Sequence, residues 1–462
     1  MLQSCRRRAL RALHDALRRH HRRDLCGLPS ARDSDRVDDL VARSLAHIPP
    51  AEGGRPLRVA VAMSGGVDSS VAAHLLQRQG CDVFAVFMRT WDAAEEGAAT
   101  AGACTAESDL RDAHNVCRTL GIPLHVVDFV PRYWQDVFCP FVEAYASGIT
   151  PNPDLSCNQR VKFGALLRRA IDELGADALA TGHYARVHAP PSSSSSTSSS
   201  SSSSTPLEVR GPLRLRRGRD RAKDQSYFLS RIDPESLRRV AFPLGDVTKP
   251  HVRRIAAGLD LPNAEKKGSV GICFIGKRSF NAFLSQYVEL TPGAFVCVDS
   301  GVEVGKHGGS ELYTRGQGAR IPGAQCKWYV VGKRKGAVFV CQGPDHAALA
   351  SDGAILRDVR WFGEPSIAPG AASDHPLECQ ARYNQEPGWC RVHRPGEGPT
   401  HVPSEWWGAG AGNGVRESLK EGVLQADFSE PYLHVTPGQA LVLYRDDLLL
   451  GSGLIHTFTQ RA

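Results

Sequence analysis

The sequence predicts an α/β protein, in which a doubly wound parallel sheet is followed by two small β-rich, barrel-like modules. Between residues 57 and 184, short apolar runs alternate with helical segments, which is the pattern of βαβ units. From about residue 276 the helical periodicity fades and glycines separate short apolar runs, which favours β-hairpins and small barrels. A chain of 462 residues is also too long for a single core, so several domains are expected.

The elements of the first domain follow in chain order. The alternation predicts strands at 57–63, 82–91, 123–129 and 176–184, and helices at 69–80, 109–121 and 160–174. A serine tract at 190–206 buries too little apolar area to offset its ordering entropy, so we expect a disordered insertion. The predicted boundaries are a leader and linker at 1–55, the α/β domain at 56–275, and β-rich modules at 276–349 and 350–462.

The first 23 residues differ in composition from the rest of the chain. They hold eight arginines and one acid, Asp15, which accounts for the whole net charge of +7. Leu10, Leu13 and Leu17 form an apolar stripe at helical spacing. An Arg-rich, amphipathic, acid-poor leader is typical of a mitochondrial transit peptide and predicts a matrix protein, with a disordered basic tail as the alternative.

The remaining composition excludes several classes of protein. No apolar run approaches the roughly 18 residues of a membrane helix, so we expect no membrane partner. The 13 cysteines have neither an even framework nor a CxxC pair, which indicates a reducing compartment and no structural zinc site. No metal-ligating residues are predicted.

Outside residues 1–23 the chain carries no net charge and gives no general argument for nucleic-acid binding. Residues 210–223, however, hold seven basic residues and one acid. This segment is a local candidate for RNA contact, or alternatively a solvated hairpin.

The stretch VAVAMSGGVDSS places a polar glycine turn between the first strand and the first helix. Gly65 and Gly66 let the backbone approach a ligand, and the helix directs free N–H groups and its positive dipole end to the same point. These features predict an anion site, although the spacing matches neither the P-loop nor the dinucleotide fingerprint. Asp68 would repel a phosphate unless Mg²⁺ mediates or the carboxylate binds elsewhere.

This turn resembles the pyrophosphate loop (PP-loop) of the ATP-pyrophosphatase superfamily, whose members cleave ATP between the α and β phosphates to adenylate a substrate. The superfamily includes amide-forming synthetases and tRNA thiolases. The loop by itself therefore leaves both classes open.

One cysteine lies in a context that predicts reactivity. Cys157 is predicted just ahead of a helix that begins at Gln159, beside Arg160 and Lys162. A thiol at a helix N-terminus next to cations has a lowered pKa. Asp154 is close enough in sequence to donate or accept a proton at the same centre.

A second cysteine, Cys273, lies between glycines in GICFIG and is predicted to be sterically open. Taken alone, a cysteine in either context is more often a buried small apolar residue. However, PNPDLSCN, ATGHY, KDQSYFL and GICFIG follow SGGVDSS in that order, and together they closely resemble the tRNA-specific 2-thiouridylases. The resemblance runs from about residue 57 to the C-terminus, and with the Arg-rich leader it is to the mitochondrial type.

The resemblance implies a set of site residues. ATP would be bound by Ala62, Met63, Ser64, Gly65, Gly66, Val67, Asp68 and Ser69, with Met88 and Gly182 lining the adenosine pocket. The target base would meet Asn152, Pro153 and Asp154, and the tRNA would meet Lys223, Asp224, Gln225, Arg382 and Tyr383. Cys157 is similar to the family nucleophile, and Cys273 to the cysteine that carries a persulfide.

The resemblance also implies the reaction. ATP, with Mg²⁺, adenylates C2 of the wobble uridine (U34) in tRNAs of the lysine, glutamate and glutamine type. Sulfur from a persulfide donor protein, carried on Cys273, then replaces the oxygen. Attack by Cys157 on the persulfide would leave a Cys157–Cys273 disulfide for a reductant to reopen.

Two departures from the family pattern keep alternatives open. Gly268-Ser269-Val270-Gly271 stands where Asp-Ser-Thr-Gly is usual, and YTRGQGARIPG (313–323) replaces a GQR-like stretch. The alternatives are a PP-loop amide-forming ligase, a tRNA-binding homologue with impaired catalysis, and an iron–sulfur protein using both cysteines. Absence of neighbouring CxxC spacing argues against the last of these.

Overall fold

The computed structural model describes residues 31–92, 106–189, 213–268, 274–276, 278–334, 336–363, 375–394, 402–403 and 422–460. Residues 1–30, the serine tract and Cys273 lie outside these ranges. Within them, no helix combines the length and apolar character needed to cross a bilayer.

The first domain is built on a five-stranded parallel sheet in the order β3-β2-β1-β4-β7. Its strands are β1 (Arg58–Ala62), β2 (Asp82–Arg89), β3 (Leu124–Asp128), β4 (Ala178–Ala180) and β7 (Val240–Ala241). Its helices are α1 (Ala31–Leu45), α2 (Val67–Arg78), α3 (Ala106–Leu120), α4 (Val130–Tyr133), α5 (Cys139–Ala146), α6 (Pro153–Ser156), α7 (Ser226–Leu229) and α8 (Lys249–Gly258). Short 3₁₀ segments are Glu52–Gly54, Arg221–Lys223 and Pro234–Arg239, and π-helical segments are Trp134–Phe138, Cys157–Leu166 and Arg169–Glu173.

Both faces are covered at the inner strands β1, β2 and β4, which explains why these strands contain nearly continuous apolar runs. Successive residues of a strand point to opposite faces. Accordingly Ala60 belongs to one buried cluster and its neighbours Val59 and Val61 to another. The doubly wound parallel sheet predicted from the sequence is confirmed.

Three predicted elements differ in extent. The linker predicted before residue 56 contains α1, whose Val37 and Val41 are buried against Val71 of α2. The strand predicted at 176–184 is only three residues long, because the following residues leave the sheet to form a pocket wall. The helix predicted from residue 160 begins earlier, at Pro153.

The central module is a five-stranded sheet in the order β10-β11-β12-β8-β9, preceded by α9 (Phe280–Leu284). Its strands are β8 (Gly293–Cys297), β9 (Glu303–His307), β10 (Gly318–Ala319), β11 (Trp328–Arg334) and β12 (Ala337–Gln342). Only the β12–β8 pair is parallel. Short 3₁₀ segments are Ser310–Leu312 and Ala347–Leu349.

The last module is a closed barrel of six strands. The path β13-β17-β15-β14-β18-β19 closes through pairing of β13 with β19. The strands are β13 (Ala350–Trp361), β14 (Leu377–Gln380), β15 (Gly388–His393), β17 (Leu424–Leu433), β18 (Ala440–Arg445) and β19 (Leu448–Gln460), with β16 (Val402–Pro403) beside β19. The predicted β-rich modules are confirmed as β sheets, and here as a barrel.

A hairpin ties the first domain to this barrel. Its strands are β5 (Ala185–His188) and β6 (Arg214–Arg217), and β6 pairs with β19 at Arg216 and Leu448. The serine tract falls between these two strands, at the loop end of the hairpin. An insertion there leaves the strand pairing intact.

Candidate active site

The glycine turn joins β1 to the N-terminus of α2. Gly65 has a φ of +71°, and a Cβ at this position would overlap the backbone carbonyl of Asp109 in α3. Gly66 is the extended N-cap residue of α2. The Ser69 and Ser70 hydroxyls donate to the Gly66 carbonyl at 3.0 and 2.9 Å. Glycine is therefore required at 65 both by conformation and by space.

Two side chains that the sequence did not single out support the turn. Lys266 Nζ donates to the Gly65 carbonyl at 3.2 Å and to Asp109 Oδ1 at 2.7 Å. Asn263 Nδ2 donates to the same carbonyl and to Ser70 Oγ, both at 3.0 Å. Because both residues come from the segment after α8, about 200 positions away, no local pattern identifies them.

The Asp68 carboxylate is paired with neighbouring side chains and is not a free anion. Lys249 Nζ donates to both of its oxygens at 2.6 and 2.7 Å, and the Tyr184 hydroxyl donates to Oδ1 at 2.7 Å. Asp68 is thus charge-paired, which resolves the conflict between a carboxylate and a phosphate site.

A cavity of about 370 Å³ opens beside the turn, a volume that suits a nucleotide-sized ligand. Its walls come from β1, β2, the helix that begins at Pro153, and the residues after β4. It is lined by Ala62, Met63, Ser64, Asp68, Ser69, Val86, Phe87, Met88, Thr90, Trp91, Ala106, Asp109, Asp154, Cys157, Lys162, Thr181, Gly182, His183 and Gln225.

Most of the predicted ATP residues line this cavity or form the turn at its edge. Gly182 lines the cavity and also lies against the glycine turn, since a Cβ there would be 2.8 Å from the backbone nitrogen of Ser69. The segment after β4 therefore packs directly on the turn. The roles predicted for these residues in binding ATP stay predictions.

Asp154 and Cys157 reach the cavity from the helix that Asn152 caps. The Asn152 side chain accepts from the Asp154 backbone N–H at 3.1 Å, and Pro153 occupies the first helical position, where proline is favoured. Cys157 lies one turn inside the helix. The prediction that it precedes the helix is wrong.

The predicted lowering of the Cys157 pKa is also wrong. Burial raises the pKa of this thiol, Lys162 counteracts that shift, and Asp154 adds to it. Arg160 is exposed to solvent and does not reach the thiol. Burial likewise raises the pKa of Asp154, against the opposing charge of Lys162.

Two titratable side chains that line this cavity were not in the predicted site. Lys162 Nζ donates to Asn158 Oδ1 at 2.8 Å. His183 Nδ1 is 2.7 Å from Thr181 Oγ1, and burial together with the charge of Lys162 lowers its pKa, so the imidazole is neutral at pH 7. The signal available in the sequence for His183 was a titratable residue within the ATGHY motif.

Cys273 lies outside the described residues, but its neighbour Phe274 is described. Phe274 is buried and stacks on Trp91 with ring centroids 5.4 Å apart. Trp91 lines the cavity that holds Cys157. The described chain thus resumes after Cys273 at a wall of the same cavity.

Three protein-family models match this chain. They are the tRNA methyl transferase HUP domain at residues 57–277, the tRNA methyl transferase PRC-barrel domain at 281–342 and the aminomethyltransferase β-barrel domain at 414–455. The tRNA-specific 2-thiouridylase MnmA of Halalkalibacterium halodurans is 41% identical over 410 residues, which cover 87% of this chain and 96% of that protein. The same enzyme of Staphylococcus aureus (strain bovine RF122 / ET3-1) is 39% identical over 405 residues, covering 87% and 95%. The chain belongs to the tRNA-specific 2-thiouridylase family.

Among solved structures, NMN synthetase from Francisella tularensis covers 54% of this chain and 80% of its own, at 14% identity and a TM-score of 0.31. The U34-tRNA thiolase NcsA from Methanococcus maripaludis covers 54% and 70%, at 17% identity and a TM-score of 0.27.

The residues that the thiouridylase resemblance assigns to tRNA have different surroundings. Lys223 is exposed, whereas Gln225 lines the cavity and accepts from the Tyr184 N–H at 3.1 Å. The Asp224 carboxylate accepts from the Gly218 N–H and from the Ser226 hydroxyl, both at 2.8 Å. These bonds hold the segment between β6 and α7.

The two predicted tRNA residues of the barrel lie near one another. Arg382 is half-buried and donates to the Arg315 carbonyl at 2.6 Å. The Tyr383 ring packs on Phe228, with centroids 4.4 Å apart. The predicted tRNA contacts of these residues stay predictions.

The basic run at 210–223 is only partly available to RNA in this thiouridylase. Arg217 is buried, pairs with Glu378 and stacks over the Tyr444 ring at 3.7 Å. Arg221 pairs with Asp447 of the barrel. Much of the charge therefore fixes the hairpin to the barrel, and Arg219 and Lys223 remain exposed without such an ion pair in the described residues.

Proposed function

We propose that this chain is an ATP-dependent tRNA-uridine 2-sulfurtransferase that forms 2-thiouridine at U34. The observation that carries the proposal is that one cavity joins the glycine turn to Asp154 and Cys157. Family membership supports the same activity, because the relatives are named tRNA-specific 2-thiouridylases. The amide-ligase and impaired-homologue alternatives have no observation in their favour.

In the proposed reaction, the C2 oxygen of uridine attacks the α phosphorus of ATP and pyrophosphate leaves. The N–H groups at the start of α2 would hold that departing anion. Attack by the Cys157 thiolate on the inner sulfur of a Cys273 persulfide forms a Cys157–Cys273 disulfide and releases the outer sulfur as hydrosulfide. That sulfur bonds to C2 and AMP leaves with the oxygen, and two electrons from a reductant reopen the disulfide to close the cycle.

Asp154 is the group at the cavity that supplies protons. Since burial raises its pKa, this carboxyl keeps its proton to a higher pH than an exposed aspartate does. It would protonate the departing oxygen of AMP. The target uridine must leave the anticodon stack to reach this position.

Mg²⁺ fits the donor set as an ion carried mainly by the ATP phosphates. Asp68 and Asp109 are the carboxylates at the turn, and each is already paired with a lysine. In the described residues no cluster of three His, Cys, Asp or Glu side chains exists. Because lysines already engage both carboxylates, an ion arriving with ATP would be held by the phosphates and would neutralise charge on the pyrophosphate.

The decisive experiment is in vitro thiolation of U34-containing tRNA with ATP, a persulfide donor protein and Cys157→Ala. The variant should still adenylate the tRNA and release pyrophosphate, but 2-thiouridine, measured by nucleoside mass spectrometry, should be absent. Cys139→Ala is the matched control, because Cys139 is an exposed cysteine of a nearby helix and should thiolate normally. Normal 2-thiouridine formation by Cys157→Ala would overturn the proposal.

We further propose that the substrates are tRNAs of the lysine, glutamate and glutamine type in the mitochondrial matrix. The Arg-rich residues 1–23 support this location. The test is imaging and fractionation of the tagged full chain against a chain lacking residues 1–30. Cytosolic location of the full chain would contradict import. Loss of 2-thiouridine from organellar tRNA in depleted cells would support the substrate assignment.

A further inference from the structure

The segment Cys157–Leu166 is π-helical, which changes which of its residues share a face. In a π-helix, which has i→i+5 hydrogen bonds, the wider turn brings residues i and i+5 toward the same face, and such segments are frequent at functional sites. In an α-helix the same two residues would be about 140° apart around the axis. The π-helical turn therefore places Lys162 on the cavity face together with Cys157.

Both side chains do line the cavity, with Asp154 and His183. Lys162 Nζ is held by Asn158 Oδ1 at 2.8 Å, and Asn158 itself is anchored to the Phe228 carbonyl at 3.0 Å. Asn158 is only 3% exposed. A lysine fixed in this way is a preorganised charge rather than a mobile surface cation.

We propose that Lys162 is a positioning residue of this site, the cation that stabilises the Cys157 thiolate. The inference rests on the proposed function in taking Cys157 as the nucleophile. No other cation competes for that role among the described cavity residues. Lys249 and Lys266 are paired with Asp68 and Asp109, respectively.

The charges around Cys157 determine the direction in which removal of Lys162 shifts the pKa of the thiol. Asp154, on the preceding turn, opposes thiolate formation, and Lys162 favours it. His183, from the segment after β4, is neutral at pH 7 because burial lowers its pKa. Removing Lys162 leaves burial and Asp154 unopposed, so the thiol should ionise at a higher pH.

The test is the pH dependence of iodoacetamide alkylation of Cys157 in the purified full chain, without tRNA or ATP. Trypsin releases one peptide, residues 133–160, that contains both Cys157 and Cys139. Cys139 is exposed and serves as an internal control in the same spectrum. Alkylation reports the thiolate because the thiol itself is not nucleophilic.

In Lys162→Met the Cys157 profile should shift upward by about one pH unit, so that alkylation at pH 8 falls about tenfold. The Cys139 profile should not move. Lys162→Arg, which keeps the charge, should restore most of the rate. Lys306→Met is a matched control, because Lys306 is an exposed lysine of β9 and its loss should leave the Cys157 profile unchanged.

An unchanged Cys157 profile in Lys162→Met would overturn the proposal. So would equal shifts in the Met and Arg variants, because a purely structural lysine would produce that result. The proposed function is judged separately by 2-thiouridine formation. A wild-type chain that forms no 2-thiouridine but shows the Lys162-dependent profile would refute the function and leave this inference standing.

Discussion

Lys249 Nζ lies 2.6 and 2.7 Å from the two carboxylate oxygens of Asp68, in the first turn of α2. The lysine is mostly buried and the aspartate about one-third exposed. This pair allows an acidic residue to stand at a turn that is built to bind an anion. Charge pairing, rather than the identity of the residue alone, decides whether Asp68 repels a phosphate.

Lys249→Met should therefore weaken ATP binding. The unpaired Asp68 carboxylate repels the polyphosphate, and we expect the KM for ATP to rise about tenfold, or about 1.4 kcal/mol. Steady-state AMP formation at varied ATP measures this. Lys249→Arg should retain most of the affinity for ATP. The double variant Lys249→Met with Asp68→Asn should recover part of the affinity that Lys249→Met loses. An unchanged KM in Lys249→Met would contradict the pairing argument.

Gly65→Ala should abolish ATP-dependent activity, because a Cβ would meet the Asp109 carbonyl and the backbone has a positive φ. Gly80→Ala separates the effect of a positive φ from the effect of crowding. Gly80 has a φ of +78° and nothing within 4 Å of its Cβ position, so it should lose about 1 kcal/mol of stability and stay active. Urea unfolding and AMP formation are the measurements. Equal behaviour of the two variants would show that crowding at 65 is unimportant.

Asp154→Asn should slow the chemical step by about two to three orders of magnitude, the usual effect of losing a proton donor. Burial raises the pKa of Asp154 above its ordinary 3.8. The wild-type rate should therefore fall as pH rises through that raised pKa, and this limb should vanish in the variant. Single-turnover 2-thiouridine formation across pH tests it. An unchanged pH profile in Asp154→Asn would remove the carboxyl from the reaction.

Helix α1 should be part of the folded domain rather than a dispensable linker. Val37, Val41 and Ile48 are buried, and deletion of residues 1–48 should cost about 3–6 kcal/mol of unfolding free energy. Deletion of residues 1–30 should cost little, because α1 remains. Urea denaturation of the two truncated chains compares them directly. Equal stability of both would mean that α1 contributes no packing energy.

Two arginines of the 313–323 stretch should behave differently. Arg315 is fully buried, donates to the carbonyls of Val331 and Ala348 at 2.6 and 3.0 Å, and stacks on Phe458. Arg315→Met should therefore lower the unfolding free energy by about 3 kcal/mol, since several buried carbonyls lose their donor. Urea denaturation measures that loss.

Arg320 is exposed and lies in the same stretch. Arg320→Met should leave stability unchanged, weaken tRNA binding and reduce the salt slope of log Kd by about one. Filter binding at several salt concentrations measures the slope. The reverse pattern in these two variants would contradict the structural role of Arg315 and the tRNA contact that we predict for the exposed side chain of Arg320.

The alternation of apolar and helical segments was sufficient to predict the parallel sheet, because each βαβ unit is a local pattern. The glycine turn was predictable for the same reason, since β1, the turn and α2 are consecutive. Helix α1 was missed because its polar, Arg/Asp-rich face dominates the composition, and only packing against α2 reveals its buried valines. The start of the Cys157 helix was misplaced because prolines such as Pro151 and Pro153 usually interrupt a helix, whereas Pro153 here occupies the first helical position after the Asn152 cap.

The sequence by itself determined the order of the chemistry-bearing motifs along the chain, the glycine turn and the identity of Cys157 and Asp154 as candidates. Tertiary structure decided the charges that these groups experience. Lys249 reaches Asp68 across 181 positions and Lys266 reaches Asp109 across 157, distances over which no sequence pattern operates. Burial, which only the fold creates, reversed the predicted shift of the Cys157 pKa. Motifs are local, but electrostatic environment is set by whichever distant segments the fold packs around them.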